Sequence, residues 1–102
     1  VFLAQLGDLA KKKSLKTFAE LQKNGILTAE SFGRGSLKSQ LRVADKLGVQ
    51  ITLIIGQKEA LDGTVIVKDM VSGTQETVGM DKLVLSVKKI LKNNVIVSRN
   101  GE

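Results

Sequence analysis

The chain has 102 residues without Cys or His, which excludes disulfides and thiolate chemistry and removes the commonest general base and transition-metal ligand. Its 42% hydrophobic and 25% charged residues are typical of one globular domain, and no apolar run is long enough to span a bilayer. The formal charge of +6 favours a polyanionic partner, although a solvated basic surface would also explain it.

The chain opens inside an apolar run, Val1-Phe-Leu-Ala, with neither an initiator Met nor the basic start of a signal peptide. We therefore expect a domain that belongs to a longer protein. The lack of Cys fits a reducing compartment, so we also expect a cytoplasmic location. Because no apolar run is long enough to span a bilayer, we expect no membrane partner.

In the first half of the chain, apolar spacing predicts alternating strands and helices. Residues 1–6 form the first predicted strand, and the following helix has an apolar stripe of Leu15, Phe18, Ala19 and Leu21. Residues 26–32 form the second strand. The next helix is capped by Ser36 and ended by Gly48, with Leu37, Leu41, Ala44 and Leu47 on its apolar face.

In the second half, residues 51–55 are nearly all apolar, as in a central strand covered on both faces. Two extended segments over residues 64–71 and 74–78 look like a meander. A last helix carries the apolar repeat Leu83, Val84, Val87, Ile90 and Leu91. This order predicts an α/β domain over residues 1–92, with two parallel crossovers, an added antiparallel hairpin and helices on both faces. Residues 93–102 form a tail, expected to be an edge strand or disordered.

Two patterns suggest catalytic or nucleotide chemistry without a specific motif. Gly33-x-Gly35-Ser36 superficially resembles a phosphate-binding loop, but it lacks a third glycine in register and follows the second strand, so a plain helix cap is favoured. The carboxylates have no spacing typical of a hydrolytic pair or a cation site: Glu30, Asp45, Glu59, Asp62 and Asp69. We therefore assign no catalytic residue and no metal site.

The basic residues favour contact with nucleic acid. Lys11 to Lys13, and the row Lys38, Arg42 and Lys46 on the second helix, suit phosphate contacts, although a solvated helix face is the alternative for each. Reading bases requires short-range donors and acceptors on loops and strand ends, where Arg34, Glu59 and Lys68 are the candidates. Aromatic groups for stacking are scarce, since only Phe2, Phe18 and Phe32 are present.

A family resemblance follows from the middle of the chain. Residues 34–48, the apolar strand up to Gly56, then Glu59, Gly63 and residues 65–73 closely resemble the C-terminal anticodon-binding domain of histidyl-tRNA synthetase, over about residues 1–91. The resemblance implies a three-layer α/β/α fold with three helices. It also implies a mixed five-stranded sheet of order 2-1-3-4-5, with strand 4 antiparallel.

The resemblance further implies that the domain binds the anticodon loop of a histidine tRNA, whose expected anticodon is GUG. A separate catalytic domain of the same chain would use ATP and Mg, whereas this domain would hold no cofactor. In the related threonyl enzyme's domain, bases are read from positions that align with Arg34, Glu59 and Lys68. Glu59 matches that relative residue for residue, while the other two positions carry different polar or basic side chains there.

The resemblance also suggests residues that contact the RNA backbone or support the site. These are Lys38, Gln40, Arg42 and Lys46 on the second helix, with Gln5 and Gly7 at the end of the first strand. An alternative function is a synthetase-like protein-interaction or regulatory RNA-binding module. A free-standing nucleotide-binding domain is the third hypothesis.

Overall fold

The computed structural model describes the backbone of residues 1–30 and 35–100 and the side chains of residues 1–30 and 35–92. A short 3-10 turn, Met80–Lys82, leads into the last helix. The elements of the described chain are, in order, β1 (Phe2–Gln5), α1 (Asp8–Lys23), β2 (Ala29–Glu30), α2 (Leu37–Leu47), β3 (Ile51–Ile55), α3 (Gln57–Asp62), β4 (Thr64–Asp69), β5 (Gln75–Gly79) and α4 (Leu83–Asn100).

The five strands form one mixed sheet in the order β2-β1-β3-β4-β5. β1 runs parallel to β2 and β3, whereas β4 runs antiparallel to β3 and β5. In this register Leu3 lies opposite Leu53, and Ile54 lies opposite Ile66. The strand order and the antiparallel fourth strand implied by the family resemblance are confirmed.

Two apolar clusters, one on each face of the sheet, form the core. The larger cluster contains Leu3, Leu53 and Val65 and is covered by α1, α3 and α4, so we call this side the three-helix face. The smaller cluster contains Phe2 and Ile54 and is covered by α2, which defines the α2 face. Successive strand residues point to opposite faces, which is how one sheet supplies both clusters. The expected three-layer arrangement is confirmed.

Helix α1 packs on the sheet through a stripe that only partly matches the predicted one. Leu15 is 65% exposed, and the buried residues are Ala10, Ser14, Thr17 and Leu21. Small residues on this stripe let the helix axis approach the sheet closely. The Ser14 hydroxyl donates to Gln5 Oε1 at 2.7 Å, so its burial leaves a satisfied polar group. Of the predicted stripe, Leu21 is buried and Phe18 packs against the core, whereas Leu15 and Ala19 are exposed. The prediction failed in part because apolarity alone does not mark small buried residues.

The ends of α2 follow the sequence prediction closely. Ser36 Oγ accepts a hydrogen bond from the backbone N–H of Ser39 at 3.1 Å, which is the predicted cap. Gly48 ends the helix with a φ of 67°, a left-handed conformation that favours glycine. Leu47, by contrast, was expected on the apolar face and is 58% exposed.

Residues 57–62, for which the sequence predicted no helix or strand, form the short helix α3. Its first turn is closed by the Glu59 carboxylate, whose Oε1 accepts from the Gly56 N–H at 2.8 Å. Its Ala60 is buried in the cluster of the three-helix face. The domain thus has the three long helices that were expected and a short fourth one.

The backbone of α4 stays helical through Asn100. Residues 93–100 are therefore not the edge strand that the sequence allowed, and the domain limit at residue 92 stays a prediction. Among the described helices, none combines the length and apolarity that crossing a bilayer requires.

Candidate nucleic-acid interface

Three parallel strands end at the same edge of the sheet, which we call the carboxyl edge. Gln5 ends β1, Glu30 ends the described part of β2, and Ile55 ends β3. The chain leaves β1 toward the three-helix face through α1, and it enters β3 from α2 on the opposite face. Open α/β sheets bind ligands at such a switch point, outside the carboxyl ends of the strands. The topology therefore makes the ends of β1 and β3 the candidate binding site.

The chain segments that follow β1 and β3 lie side by side at this edge. The Leu6 N–H donates to the Ile55 carbonyl at 3.1 Å, which continues the pairing of the two strands. Gly7 is exposed, and a Cβ added there would lie 4.0 Å from the Gln57 Cβ. Gly7 thus occupies the predicted place at the end of the first strand, beside the start of α3.

Beneath the carboxyl edge, the side chain of Gln40 on α2 is hydrogen-bonded to the backbone at the end of β1. Its Oε1 accepts from the Gln5 N–H at 2.9 Å, and its Nε2 donates to the Gln5 carbonyl at 2.6 Å. The Gln5 side chain in turn accepts from Ser14 on α1. Gln40 and Gln5 are 1% and 4% exposed, respectively. This burial fits a supporting role and leaves their side chains no access to RNA in this conformation.

Glu59 presents a carboxylate close to the end of β3. It is partly buried, and the hydrogen bond from Gly56 fixes its Oε1. A Cβ added to Gly56 would lie 2.8 Å from that oxygen, so the glycine makes room for the carboxylate. A carboxylate offers about four lone-pair sites, so Glu59 retains acceptor capacity for a base amino or imino group.

Lys68 lies on β4, away from the carboxyl edge. It pairs with Thr52, three residues before the end of β3, which is roughly 10 Å along the strand. Val65 and Val67 point to the three-helix face, so Lys68 points to the α2 face, where it is half-buried. The structure therefore does not bring Lys68 to the same sheet edge as Glu59.

The predicted basic row on α2 is exposed and borders the same side of the sheet as Lys68. Lys38 and Arg42 each follow an inward-packed leucine by one residue, a turn of about 100°. Because the β2-α2-β3 crossover is right-handed, this turn points them toward β4 and β5. Lys46 continues the row on the solvent side. The α2 face is thus lined by cations from a helix and from a strand.

Arg34 lies outside the described residues, as does Gly33, so the structure does not place this candidate. Gly35, the first described residue after this segment, has its carbonyl 3.4 Å from Gln40 Nε2. Gln40, which holds the end of β1, therefore also contacts the residue that follows Arg34.

One further carboxylate at the carboxyl edge has an unusual environment. Glu30 is half-buried, and its Oε2 is buried without a hydrogen-bond partner in the described part of the chain. Burial raises the pKa of the Glu30 carboxyl above its ordinary value. Across the described ranges, no group of three or more His, Cys, Asp or Glu residues could hold a metal ion.

Comparison with known proteins decides the family. Residues 1–90 match the family model described as "Anticodon binding domain". The chain belongs to the anticodon-binding domain family. The resemblance to the histidyl-tRNA synthetase group is also confirmed, since a histidine–tRNA ligase of Nitratidesulfovibrio vulgaris (strain DP4) is 43% identical over 79 residues. That match covers 78% of this chain and 19% of the relative.

Solved structures agree with this anticodon-binding domain fold. The apo crystal structure of Staphylococcus aureus histidyl-tRNA synthetase has a TM-score of 0.76 and 33% identity, covering 83% of this chain and 25% of that one. Histidyl-tRNA synthetase from Nostoc sp. PCC 7120 has a TM-score of 0.80 and 28% identity, covering 88% and 22%. The chain spans about a fifth of the length of the curated relatives it matches.

Proposed function

We propose that this anticodon-binding domain recognises the anticodon loop of a histidine tRNA and supplies tRNA selection to a parent histidyl-tRNA synthetase. The loop would carry the anticodon GUG. The catalytic domain of the same chain would use ATP and Mg to activate histidine, and the enzyme would work in the cytoplasm. The observation that carries the proposal is the Glu59 carboxylate, held at 2.8 Å by the Gly56 N–H beside the switch point of the sheet.

In this proposal Glu59, Arg34 and Lys68 read bases. A fixed carboxylate accepts from base amino or imino groups, and the two cations donate to carbonyl or ring-nitrogen acceptors. The distance between Glu59 and Lys68 along the sheet suits the reading of separate bases of a splayed loop. RNA loops are recognised in this way, through unstacked bases that reach different parts of a protein surface.

The α2 row and the buried amides have different roles. Lys38, Arg42 and Lys46 contact phosphate, which orients the loop and contributes affinity without sequence preference. Gln5 and Gln40 support the carboxyl edge from below, and exposed Gly7 lets the backbone approach the RNA. None of these residues is assigned a catalytic step.

The test compares anticodon stem-loops with GUG and with substituted anticodon bases. We expect the GUG loop to bind more tightly, and Glu59→Ala to narrow the difference by roughly tenfold, since one good base contact is worth about 1–3 kcal/mol. Glu59→Gln is the sharper variant because its amide oxygen still caps α3 while the charge and one acceptor are lost. Equal binding of all loops to the unmodified domain at moderate salt would refute specific recognition.

Glu76→Gln is the matched control. Glu76 is exposed on β5 and pairs with Val67, so it points away from the α2 face and lies far from the end of β3. Its removal changes the net charge as Glu59→Gln does. We expect it to leave the preference for GUG unchanged, and a similar loss in both variants would assign the effect to charge alone.

A further inference from the structure

The positive charge of the domain is concentrated on α1 and α4, two of the three helices that cover the three-helix face, and on the turn before α4. α1, the 3-10 turn and α4 up to residue 92 contain nine lysines and only three carboxylates. The seven basic and seven acidic residues elsewhere in the chain cancel, so this layer accounts for the whole formal charge of +6. All nine lysines are exposed: Lys11, Lys12, Lys13, Lys16, Lys23, Lys82, Lys88, Lys89 and Lys92.

α1 and the start of α4 lie on either side of a groove. A cavity of about 430 Å³ lies between α1 and the start of α4. Lys13 and Lys16 line it together with the carboxylates of Glu20 and Asp81, so the excess positive charge lies on the helix surfaces around the groove and not inside it. Lys88 follows Val84 by about one helical turn and so extends the same side of the groove. On the outer side of α1, Lys12 and Lys23 lie eleven residues apart, about 16 Å along the helix. The charge is therefore spread along a surface long enough to meet several phosphates.

The side chains of this surface suit a phosphate backbone and not base edges. Every cation in these nine positions is a lysine, a point charge on a flexible stem that attracts phosphate without fixing a geometry, whereas base readout requires directed contacts to base edges. Phe18, the aromatic residue of α1, packs against the core cluster and offers no stacking platform. Single-stranded binding normally needs such aromatic groups. The chemistry thus favours the outside of an RNA duplex.

We propose that the α1–α4 layer is a second RNA-binding surface, which contacts the phosphate backbone of duplex RNA independently of its sequence. It lies on the opposite side of the sheet from α2, Lys68 and the proposed phosphate row. The two surfaces can therefore be occupied at the same time. This proposal goes beyond anticodon recognition and stands on charge and accessibility alone.

The test uses two triple variants that each remove three exposed positive charges. Lys12→Gln/Lys16→Gln/Lys89→Gln changes the α1–α4 layer, and Lys38→Gln/Arg42→Gln/Lys46→Gln changes α2 as the matched control. The probe is a blunt RNA duplex without any loop, and its dissociation constant is measured over a salt series. We expect the α1–α4 variant to lose about tenfold or more in duplex affinity, with the slope of log K against log salt reduced by about 2. The α2 variant also removes residues assigned to phosphate, so it should lose some duplex affinity, but clearly less than the α1–α4 variant.

Replacing the same three lysines with arginine should keep the duplex affinity, because the charges are retained. Thermal melting of each variant checks that the fold is intact. Equal loss in the two triple variants would overturn the proposal, as would failure of the unmodified domain to bind the duplex at about 100 mM salt. A preference of the unmodified domain for anionic phospholipid vesicles over duplex RNA at equal phosphate concentration would overturn it in favour of a lipid partner.

The GUG stem-loop, measured with the same variants, separates this proposal from anticodon recognition. We expect the α1–α4 variant to keep its preference for GUG over substituted loops. If the unmodified domain showed no preference for GUG, anticodon recognition would be refuted. If its duplex binding still depended on the α1–α4 lysines, the second surface would remain supported.

Discussion

Gln40→Leu is expected to destabilise the domain by about 2–5 kcal/mol, because it leaves two buried backbone groups of Gln5 without partners. The Gln5 N–H and carbonyl point away from β3, toward the side where β2 lies, but the described β2 pairs only with Phe2 and Leu3. The Gln40 carboxamide takes the place of a further strand residue, with bonds of 2.9 Å and 2.6 Å. Each buried group left unsatisfied costs about 1–3 kcal/mol.

Urea unfolding at constant temperature, followed by circular dichroism, measures the effect as a change in midpoint at constant m value. Leu has a volume similar to that of Gln, so the substitution removes the hydrogen bonds while filling most of the space. Ser14→Ala is the control, since it removes one hydroxyl donor to Gln5 Oε1 and should cost only about 1 kcal/mol.

A loss below about 0.5 kcal/mol for Gln40→Leu would refute this account, because it would show that water or a shifted β2 satisfies the Gln5 backbone as well as the amide does. Gln40→Glu gives a second check. A carboxylate keeps the acceptor for the Gln5 N–H but faces the Gln5 carbonyl without a donor, so it should destabilise at neutral pH and less so in acid.

Two other predictions concern the interface. Arg42→Ala should weaken binding of every anticodon stem-loop alike and flatten the salt slope by about 1, since Arg42 is exposed on the α2 row and is assigned to phosphate; an unchanged slope would remove it from the contacts. Burial raises the pKa of Glu30 in the folded state. The protonated side chain therefore contributes stability that is fully present below the ordinary glutamate pKa. That stability is lost as the pH rises through the folded-state pKa. The Glu30→Gln variant should therefore gain stability relative to the unmodified domain as the pH is raised from acid to neutral, measured by urea midpoints. A difference in midpoint between the two proteins that does not change with pH would contradict this.

Local signals predicted the parts of the fold whose cause is local. The hydroxyl of Ser36 and the left-handed freedom of Gly48 define the ends of α2 within a few residues of chain, and both were predicted correctly. The apolar run at residues 51–55 likewise marked the central strand, because burial on both faces demands it. The sheet order, in contrast, came from the family resemblance and not from the residue pattern.

Tertiary contacts explain what the sequence did not reveal. α3 has only six residues and no apolar period of its own, and the Glu59 bond to Gly56 and the burial of Ala60 stabilise it. Only the family resemblance singled out Gln40, and nothing in the residue pattern showed that it would be buried, which happens because β1 continues past the described β2. No pattern of spacing predicts a side chain that replaces a strand neighbour.

A domain without His or Cys can still discriminate among RNAs, because recognition requires charge and directed hydrogen bonds and no proton transfer. In this fold, the positive charge and the directed hydrogen bonds lie on different elements. Glu59 is fixed by the backbone N–H of Gly56 just past the end of β3, and in its proposed role a small displacement would change which base atom it contacts. The lysines of the α1–α4 layer are exposed on helix surfaces, where phosphate attraction tolerates imprecise geometry. Charge changes on these helices should therefore alter affinity and its salt dependence, while changes at Glu59 should alter specificity.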